Sequence, residues 1–300
     1  MNIALIGTTK IAFVHLRILN NIKIKKKIYV ISRSLERSKN FIIKSNFNNF
    51  KHIIPSNIDI LKKKKFELID ICAATDVHHK FLKRLISSNA LIFIEKPLIN
   101  PNMIKSNLTD YLNKLYFQHK KLVVCYPFLN LSQSINKILF KKKEIKSLSF
   151  YFYTSGNKNY ENILYDLLPH AYPFICKLMR LRKISFDKKS INKKSTKYSY
   201  TLKFITRSGK NISIYFKQNK KFKNAILKFK INNEILERKT KIENNKFINF
   251  IRIKDKNYNI PNPMDEFISR MYKNKKNDNY FIKNKKLTYD IYNFQSQIEN

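Results

Sequence analysis

Within the first 126 residues of the 300-residue chain, short apolar runs alternate with segments of helical period, and that alternation is the strongest constraint on the fold. Asn2 to Ile6 reads as a strand and Ile11 to Leu19 as an amphipathic helix. Lys27 to Ser32 reads as a second strand, followed by a helix that Ser34 can cap. Lys51 to Ile54 is a short third strand, and Leu68 to Ala73 a fourth, nearly all apolar as a strand covered on both faces requires. Asp76 can cap a helix running through Ser87. Leu91 to Ile94 is a fifth strand, Met103 to Gln118 a helix, and Lys121 to Tyr126 a sixth strand. Strands separated by helical segments pair in parallel through right-handed crossovers, so an α/β, doubly wound parallel sheet is expected over residues 1–126.

The pattern changes near Tyr126-Pro127. A helix is expected near Ser132 to Phe140, then a strand over Ile145 to Thr154 and a helix from about Asn162 to Met179. Runs of alternating or β-branched and aromatic residues follow at Lys197 to Thr206, Asn211 to Gln218, Ala225 to Ile231 and Phe247 to Ile253. Polar turns such as Arg207-Ser208-Gly209-Lys210 separate them, as in a meander. Pro263 starts a helix through Tyr272, and the residues from Thr288 look helical. Residues 127–300 therefore read as an α+β domain with a mostly antiparallel open sheet.

Hydrophobic residues make up 43% of the chain and aromatics 13%, enough to build cores. The formal net charge of +41 would by itself suggest a polyanion partner. The lysines are spread along the whole chain, in a composition crowded with Lys, Asn, Ile, Phe and Tyr, the residues of A- and T-rich codons. Runs such as Lys62 to Lys65 and Lys141 to Lys143 read as solvated turns, and specific nucleic-acid recognition is not expected. No apolar run is long enough for a transmembrane helix, and the amino terminus lacks the regions of a signal peptide. Cys72, Cys125 and Cys176 are odd in number and scattered, which suits a reducing, cytoplasmic setting.

After the first strand comes Gly7-Thr8-Thr9-Lys10-Ile11-Ala12. The Rossmann dinucleotide fingerprint asks for Gly at the first and third positions and Gly or Ala at the sixth, so Gly7 and Ala12 comply and Thr9 does not. Thr9 could donate its hydroxyl to a phosphate oxygen or obstruct the site. The second strand ends in Ile31-Ser32-Arg33-Ser34, with no carboxylate until Glu36. Ser32 and Arg33 suit a 2′-phosphate, which favours NADP over NAD. The fourth strand ends in small residues, Cys72-Ala73-Ala74-Thr75, followed by Asp76-Val77-His78-His79. Adjacent histidines face different sides of a helix and make a poor metal pair, so no metal is expected.

The fifth strand leads into Glu95-Lys96-Pro97. A lysine at the carboxyl end of a parallel strand points into the crevice where such sheets bind ligands, and it can exchange a proton there. Asp166 and His170 are four apart and share a helix face. Histidine suits proton transfer near neutral pH, and the carboxylate can fix its tautomer or bind a substrate hydroxyl. Pro169 suggests a local break in that helix.

Over nearly its whole length the chain resembles the Gfo/Idh/MocA oxidoreductases, the glucose–fructose oxidoreductase and inositol dehydrogenase family. The resemblance rests on Ile3 to Gly7 with Lys10-Ile11-Ala12 and His15-Leu16, on Ser32-Arg33-Ser34, and on the stretch from Asp70 to His78. Glu95-Lys96-Pro97-Leu98, Asp166 with His170, and Asn262 to Phe267 complete it. It implies NAD or NADP as cofactor and hydride exchange with a sugar-like substrate. Lys96 and His170 would move the hydroxyl proton, and Asp166 would orient substrate or imidazole. The cofactor contacts would come from Gly7, Thr9, Lys10, Ile11, Ser32, Arg33, Ala74, Thr75, His78 and Glu95. A homo-oligomer is also implied. Asn159, Tyr160, Glu161 and Asn162 stand where the family commonly has glycines before the Asp-His motif. A non-catalytic relative that binds nucleotide or sugar without turnover is the second reading, and a basic nucleic-acid-binding protein the third.

Overall fold

The structure is a computed structural model describing residues 1–100, 107–139, 144–156, 160–243 and 246–299. The expected turn over Lys141 to Lys143, the start of the expected Met103 helix and Asn159 lie outside the described residues. The chain divides into two compact units, one of residues 1–125 with 268–289 and one of 126–267 with 290–300.

In the first unit the elements follow one another as β1 (Asn2–Ile6), α1 (Lys10–Asn21), β2 (Lys27–Ser32), α2 (Leu35–Lys44) and β3 (Ile53–Asn57). Then come α3 (Ile60–Lys63), β4 (Leu68–Ile71), α4 (Thr75–Arg84), β5 (Leu91–Ile94), α5 (Leu108–Gln118) and β6 (Leu122–Val124). The six strands form one parallel sheet in the order β3-β2-β1-β4-β5-β6. This is the doubly wound Rossmann order, in which the direction of winding reverses between β1 and β4 and leaves a crevice at their carboxyl ends. β4 and β5 are buried at every position, as strands covered on both faces must be.

Ser34 caps α2 by accepting from the Arg37 amide at 3.2 Å. Asp76 does not cap α4: Ala74 occupies that position, and Asp76 sits in the first turn, where its charge complements the helix dipole. The third strand lies later than expected because Pro55 is accommodated in it. β3 pairs only with β2, and an edge strand tolerates a residue with no N–H.

The second unit contains α6 (Phe128–Leu139), β7 (Ser147–Thr154), α7 (Tyr160–Leu178), β8 (Asn192–Thr196), β9 (Ser199–Ile205), β10 (Asn211–Gln218) and β11 (Ile226–Ile231). β12 (Glu234–Glu243), β13 (Lys246–Ile253) and β14 (Lys256–Ile260) complete its sheet. The order is β14-β13-β12-β11-β7-β10-β9-β8, and every pairing is antiparallel except β7 with β10. Two closing helices, α8 (Pro263–Lys273) and α9 (Asp278–Glu299), contribute to both units. Among the described residues no helix is long and apolar enough to cross a membrane.

α7 packs on β7, β9 and β10. It runs without a break through Pro169 and Pro173, contrary to the expectation of an interruption. Each proline removes one backbone hydrogen bond. The apolar side chains around them, Leu167, Leu168, Ala171, Tyr172, Phe174 and Ile175, are buried and hold the helix on the sheet regardless. Beneath it lies an aromatic core. Phe150 is fully buried, with ring centroids 5.4 Å from Phe174, 5.5 Å from Phe229 and 6.3 Å from Phe216, and Phe174 stacks on Phe229 at 4.4 Å. Phe150→Ala is expected to cost about 3–5 kcal/mol by opening a cavity at the centre of these rings. Urea unfolding followed by the near-ultraviolet aromatic signal measures that loss.

Candidate functional site

The carboxyl ends of β1, β2 and β4 enclose a cavity of about 600 Å³, within the usual size range of small-molecule sites. Gly7, Thr9, Ser32, Arg33 and Ala74 from the sequence reading all line it. Gly7 leaves β1 with φ +121°, a conformation that side chains disfavour. A Cβ at this position would lie 2.8 Å from the Cys72 carbonyl carbon and oxygen, so only glycine lets β1 turn this close to the end of β4. Thr9 caps α1, accepting from the Ala12 amide at 3.3 Å and donating its hydroxyl to the Cys72 carbonyl at 3.1 Å. Its single proton is thereby engaged within the protein. Lys10 and Ile11 open α1, and Thr75 opens α4, beside the cavity without lining it.

Four cations line the same cavity: Arg33, Arg37, Lys80 and Arg84. Arg37 donates from Nε to the Thr8 hydroxyl at 3.0 Å and also borders an adjoining cavity of about 430 Å³. The Ser32 hydroxyl donates to the Ser34 carbonyl at 2.8 Å and shares a 2.9 Å contact with Ser38. A glycine cradle with guanidinium groups along its rim fits the phosphates of a dinucleotide. The sequence reading named Arg33 and passed over Arg37.

His78 is fully buried, and its ring ties the start of α4 to the turn after β5. Its Nδ1 lies 3.0 Å from the Pro97 carbonyl and 3.1 Å from that of Leu98, and Nε2 lies 3.0 Å from the Ala73 carbonyl. Burial lowers its pKa against the pull of these carbonyls. Lys96, half-buried, comes two residues after the end of β5, next to Glu95.

Glu95, the residue before Lys96, belongs to a buried polar cluster that sequence reasoning missed. Asp70, on β4, is 2.9 Å from His15 Nδ1, and Glu95 is 2.9 Å from His15 Nε2. His15 and Asp70 are fully buried and Glu95 nearly so. The Cys72 thiol sits 3.2 Å from His15 Nδ1 and 3.4 Å from Asp70, and Cys125 also joins His15 and Glu95. The His15 ring stacks on Phe93 at 5.4 Å. Burial works against a charged imidazole, but Asp70 and its neighbours outweigh it and hold the His15 pKa well above 6.5. Burial likewise raises the carboxyl pKa of Glu95, and the hydrogen bond and charge of His15 with the charge of Lys96 bring it below 4.5. Burial pushes both thiols up, so they stay protonated. The clue in the sequence was an aspartate inside an otherwise apolar strand and a histidine on the apolar face of α1.

Two sets of donor atoms within 4.8 Å share this histidine, His15 with Asp70 and Cys72 and His15 with Glu95 and Cys125. Each ring nitrogen instead faces a carboxylate at hydrogen-bond distance, and the cluster is satisfied as it stands without a cation.

In the second unit Asp166 and His170 are half-buried on one face of α7. Gln218 donates from Nε2 to Asp166 Oδ2 at 3.0 Å. Gly156 makes room for that glutamine: a Cβ there would lie 2.6 Å from Gln218 Oε1. The imidazole of His170 is flanked by Phe128 at 4.7 Å and by Phe152 edge-on at 5.1 Å, an apolar setting that restricts its orientation.

A family model described as an oxidoreductase family with an NAD-binding Rossmann fold matches residues 1–114. Three solved structures share the fold of nearly the whole chain. One is a mutant of KijD10, a 3-ketoreductase from Actinomadura kijaniata in complex with TDP-benzene and NADP. It is 13% identical with a TM-score of 0.68, over 97% of this chain and 95% of that one. The UDP-N-acetylglucosamine 3-dehydrogenase GnnA from Acidithiobacillus ferrooxidans is 11% identical with a TM-score of 0.65, over 100% and 98%. A Gfo/Idh/MocA family oxidoreductase from Vibrio cholerae is 12% identical with a TM-score of 0.63, over 100% of both chains. No curated protein sequence matches the chain.

The cluster around His15 makes stability depend on pH in both directions. A histidine whose pKa rises on folding contributes stability that is complete below its unfolded value of 6.5 and lost as pH rises through the folded value. A glutamate whose pKa falls on folding contributes stability present above its unfolded value of 4.5 and lost as pH drops through the folded one. Urea midpoints measured from pH 3 to 9 should decline at both ends, and Glu95→Gln should flatten the acid limb.

Proposed function

We propose, for a chain that through residues 1–114 belongs to the Gfo/Idh/MocA oxidoreductase family, that its activity is hydride transfer between a nicotinamide cofactor and a CH–OH carbon of a sugar or polyol derivative. The observation that carries this reading is the cavity at the carboxyl ends of β1, β2 and β4, where the Gly7 turn and the arginine rim match the phosphates of a dinucleotide. When bound, the nicotinamide supplies the hydride donor or acceptor. Gly7 and the amino end of α1 take the pyrophosphate in this proposal, and Ser32 and Arg33 hold the adenosine ribose and its 2′-phosphate, so NADP is the preferred form. Arg37, Lys80 and Arg84 add positive charge to the same rim.

Lys96 and His170 carry the proton chemistry. As hydride leaves the substrate carbon, its hydroxyl must lose a proton, and in the reverse direction the carbonyl oxygen must gain one. An ammonium–amine pair at Lys96 and an imidazole at His170 serve that exchange. Asp166, held by Gln218, orients the imidazole or accepts a substrate hydroxyl. Support for a sugar-like substrate comes from the similar structures, a ketoreductase crystallised with TDP-benzene and a UDP-sugar dehydrogenase.

One observation favours the second reading, a relative that binds without turnover. Thr9 stands where the fingerprint has its middle glycine, and its hydroxyl is engaged by the Cys72 carbonyl. Quenching of protein fluorescence on titration with NADPH and NADH decides whether a dinucleotide binds, and absence of binding by both removes the enzyme reading. With a sugar-nucleotide or free-sugar substrate in hand, Lys96→Ala and His170→Ala should each lower turnover by about 100-fold or more, with unfolding midpoints near that of the parent protein. Normal turnover in both variants would refute the assignment. Arg33→Asp should shift the ratio of NADPH to NADH affinity towards NADH by about tenfold or more, the loss of a charge-assisted phosphate contact. An unchanged ratio would remove Arg33 from the phosphate site.

A further inference from the structure

We propose that His15 is a positioning residue for Lys96: a buried imidazolium, shared between Asp70 and Glu95, that keeps Glu95 as a carboxylate beside the lysine. The role of Lys96 rests on the function proposed above; the charge state of the cluster does not.

Proton counting carries the argument. Each ring nitrogen of His15 faces a carboxylate oxygen at 2.9 Å. A carboxylate only accepts, and a neutral imidazole has one donor and one acceptor nitrogen. Two such contacts need two protons, one along each line. Either the ring holds both, or a carboxyl holds one and presents it to a bare nitrogen. The other groups facing the ring do not resolve the demand in favour of a carboxylic acid. Cys72, beyond the end of β4, and Cys125, beyond β6, are buried thiols, and Phe93 on β5 brings an apolar face. Asp70 on β4 and Glu95 beyond β5 are the two acids, and Lys96 adds positive charge that favours an ionised Glu95. The raised pKa of His15 and the lowered pKa of Glu95 agree with the doubly protonated ring.

The arrangement links three elements. His15 comes from α1, whose amino end borders the dinucleotide cavity, while Asp70 and Glu95 fix its two nitrogens to β4 and to the end of β5. Glu95 is thereby held in one rotamer with its charge retained, and the next residue is Lys96. If His15 loses its second proton or is removed, a buried Glu95 carboxylate has lost its principal donor and takes up a proton. Lys96 then loses the negative charge next to it in the chain.

Two measurements on the free protein test this, neither needing a substrate. Nitrogen-15 histidine spectra, with the His15 ring assigned through its contacts to Phe93, should show both ring nitrogens protonated from pH 5.5 to 8. A neutral ring below pH 7.5 overturns the proposal. Reductive methylation of Lys96 at pH 7.5, followed by mass spectrometry, should run at least threefold faster in Glu95→Gln and in His15→Gln than in the parent, because the amine no longer has a carboxylate beside it. Equal rates in all three overturn the link to Lys96, and Glu95→Gln alone decides the point if His15→Gln fails to fold. A purely structural histidine would lower the unfolding midpoint without moving either readout. Failure to bind NADPH and NADH would count against the proposed function while leaving both of these measurements intact.

Discussion

The approach of β1 to the end of β4 governs the crevice of the first unit. At Gly7 the backbone takes a conformation that excludes side chains, and it passes so near the Cys72 carbonyl that a methyl group would collide with it. That contact lets the Thr9 hydroxyl bridge the same carbonyl to the first turn of α1, and it sets where α1 begins. One helical turn and a half along α1, His15 reaches down to Asp70 on β4 and to Glu95 beyond β5. The Gly7 turn and the Glu95-Lys96 segment are therefore placed by one chain of short contacts.

The price of that order is charge in the interior. His15, Asp70 and Glu95 are withdrawn from water, and a cluster of this kind is stabilising only while each member keeps its hydrogen-bond partners. It brings directional contacts that apolar packing would not supply. The second unit uses a different device around its own candidate residues. Phenylalanine rings flank His170, and Gln218, admitted by Gly156, donates to Asp166.

The sequence exposed the first sheet clearly because its strands are short apolar runs between capped helices, as at β4, β5 and Ser34. The second sheet was harder. β8 is exposed along its whole length, β14 is exposed at four of five positions, and β12 is rich in charged residues, so none shows the alternation that marks a strand with one buried face. What forms them is pairing with a neighbour of stronger pattern, as β8 pairs with β9 and β14 with β13. Gly7, Lys96, Asp166 and His170 could be singled out from local pattern. The group of His15, Asp70 and Glu95 could not, since its members lie 55 and 80 positions from the histidine and only the fold assembles them. Arg37 was passed over for a simpler reason, that a charged residue on an exposed helix face carries no local mark of the cavity it borders.

The two outermost strands of the second sheet each leave one row of backbone donors and acceptors without a neighbouring strand in this sheet, β8 at one end and β14 at the other. Such rows invite further strands to add on. Lys193 and Lys194 stand on the first and Lys256 on the second, in a protein that carries 41 more positive than negative charges. Two copies approaching rim to rim would bring like charges together, so electrostatic repulsion opposes endless ribbon growth. Because mobile ions shorten the reach of that repulsion to about 8 Å at physiological ionic strength, the ambient salt sets how strongly neighbouring molecules are kept apart.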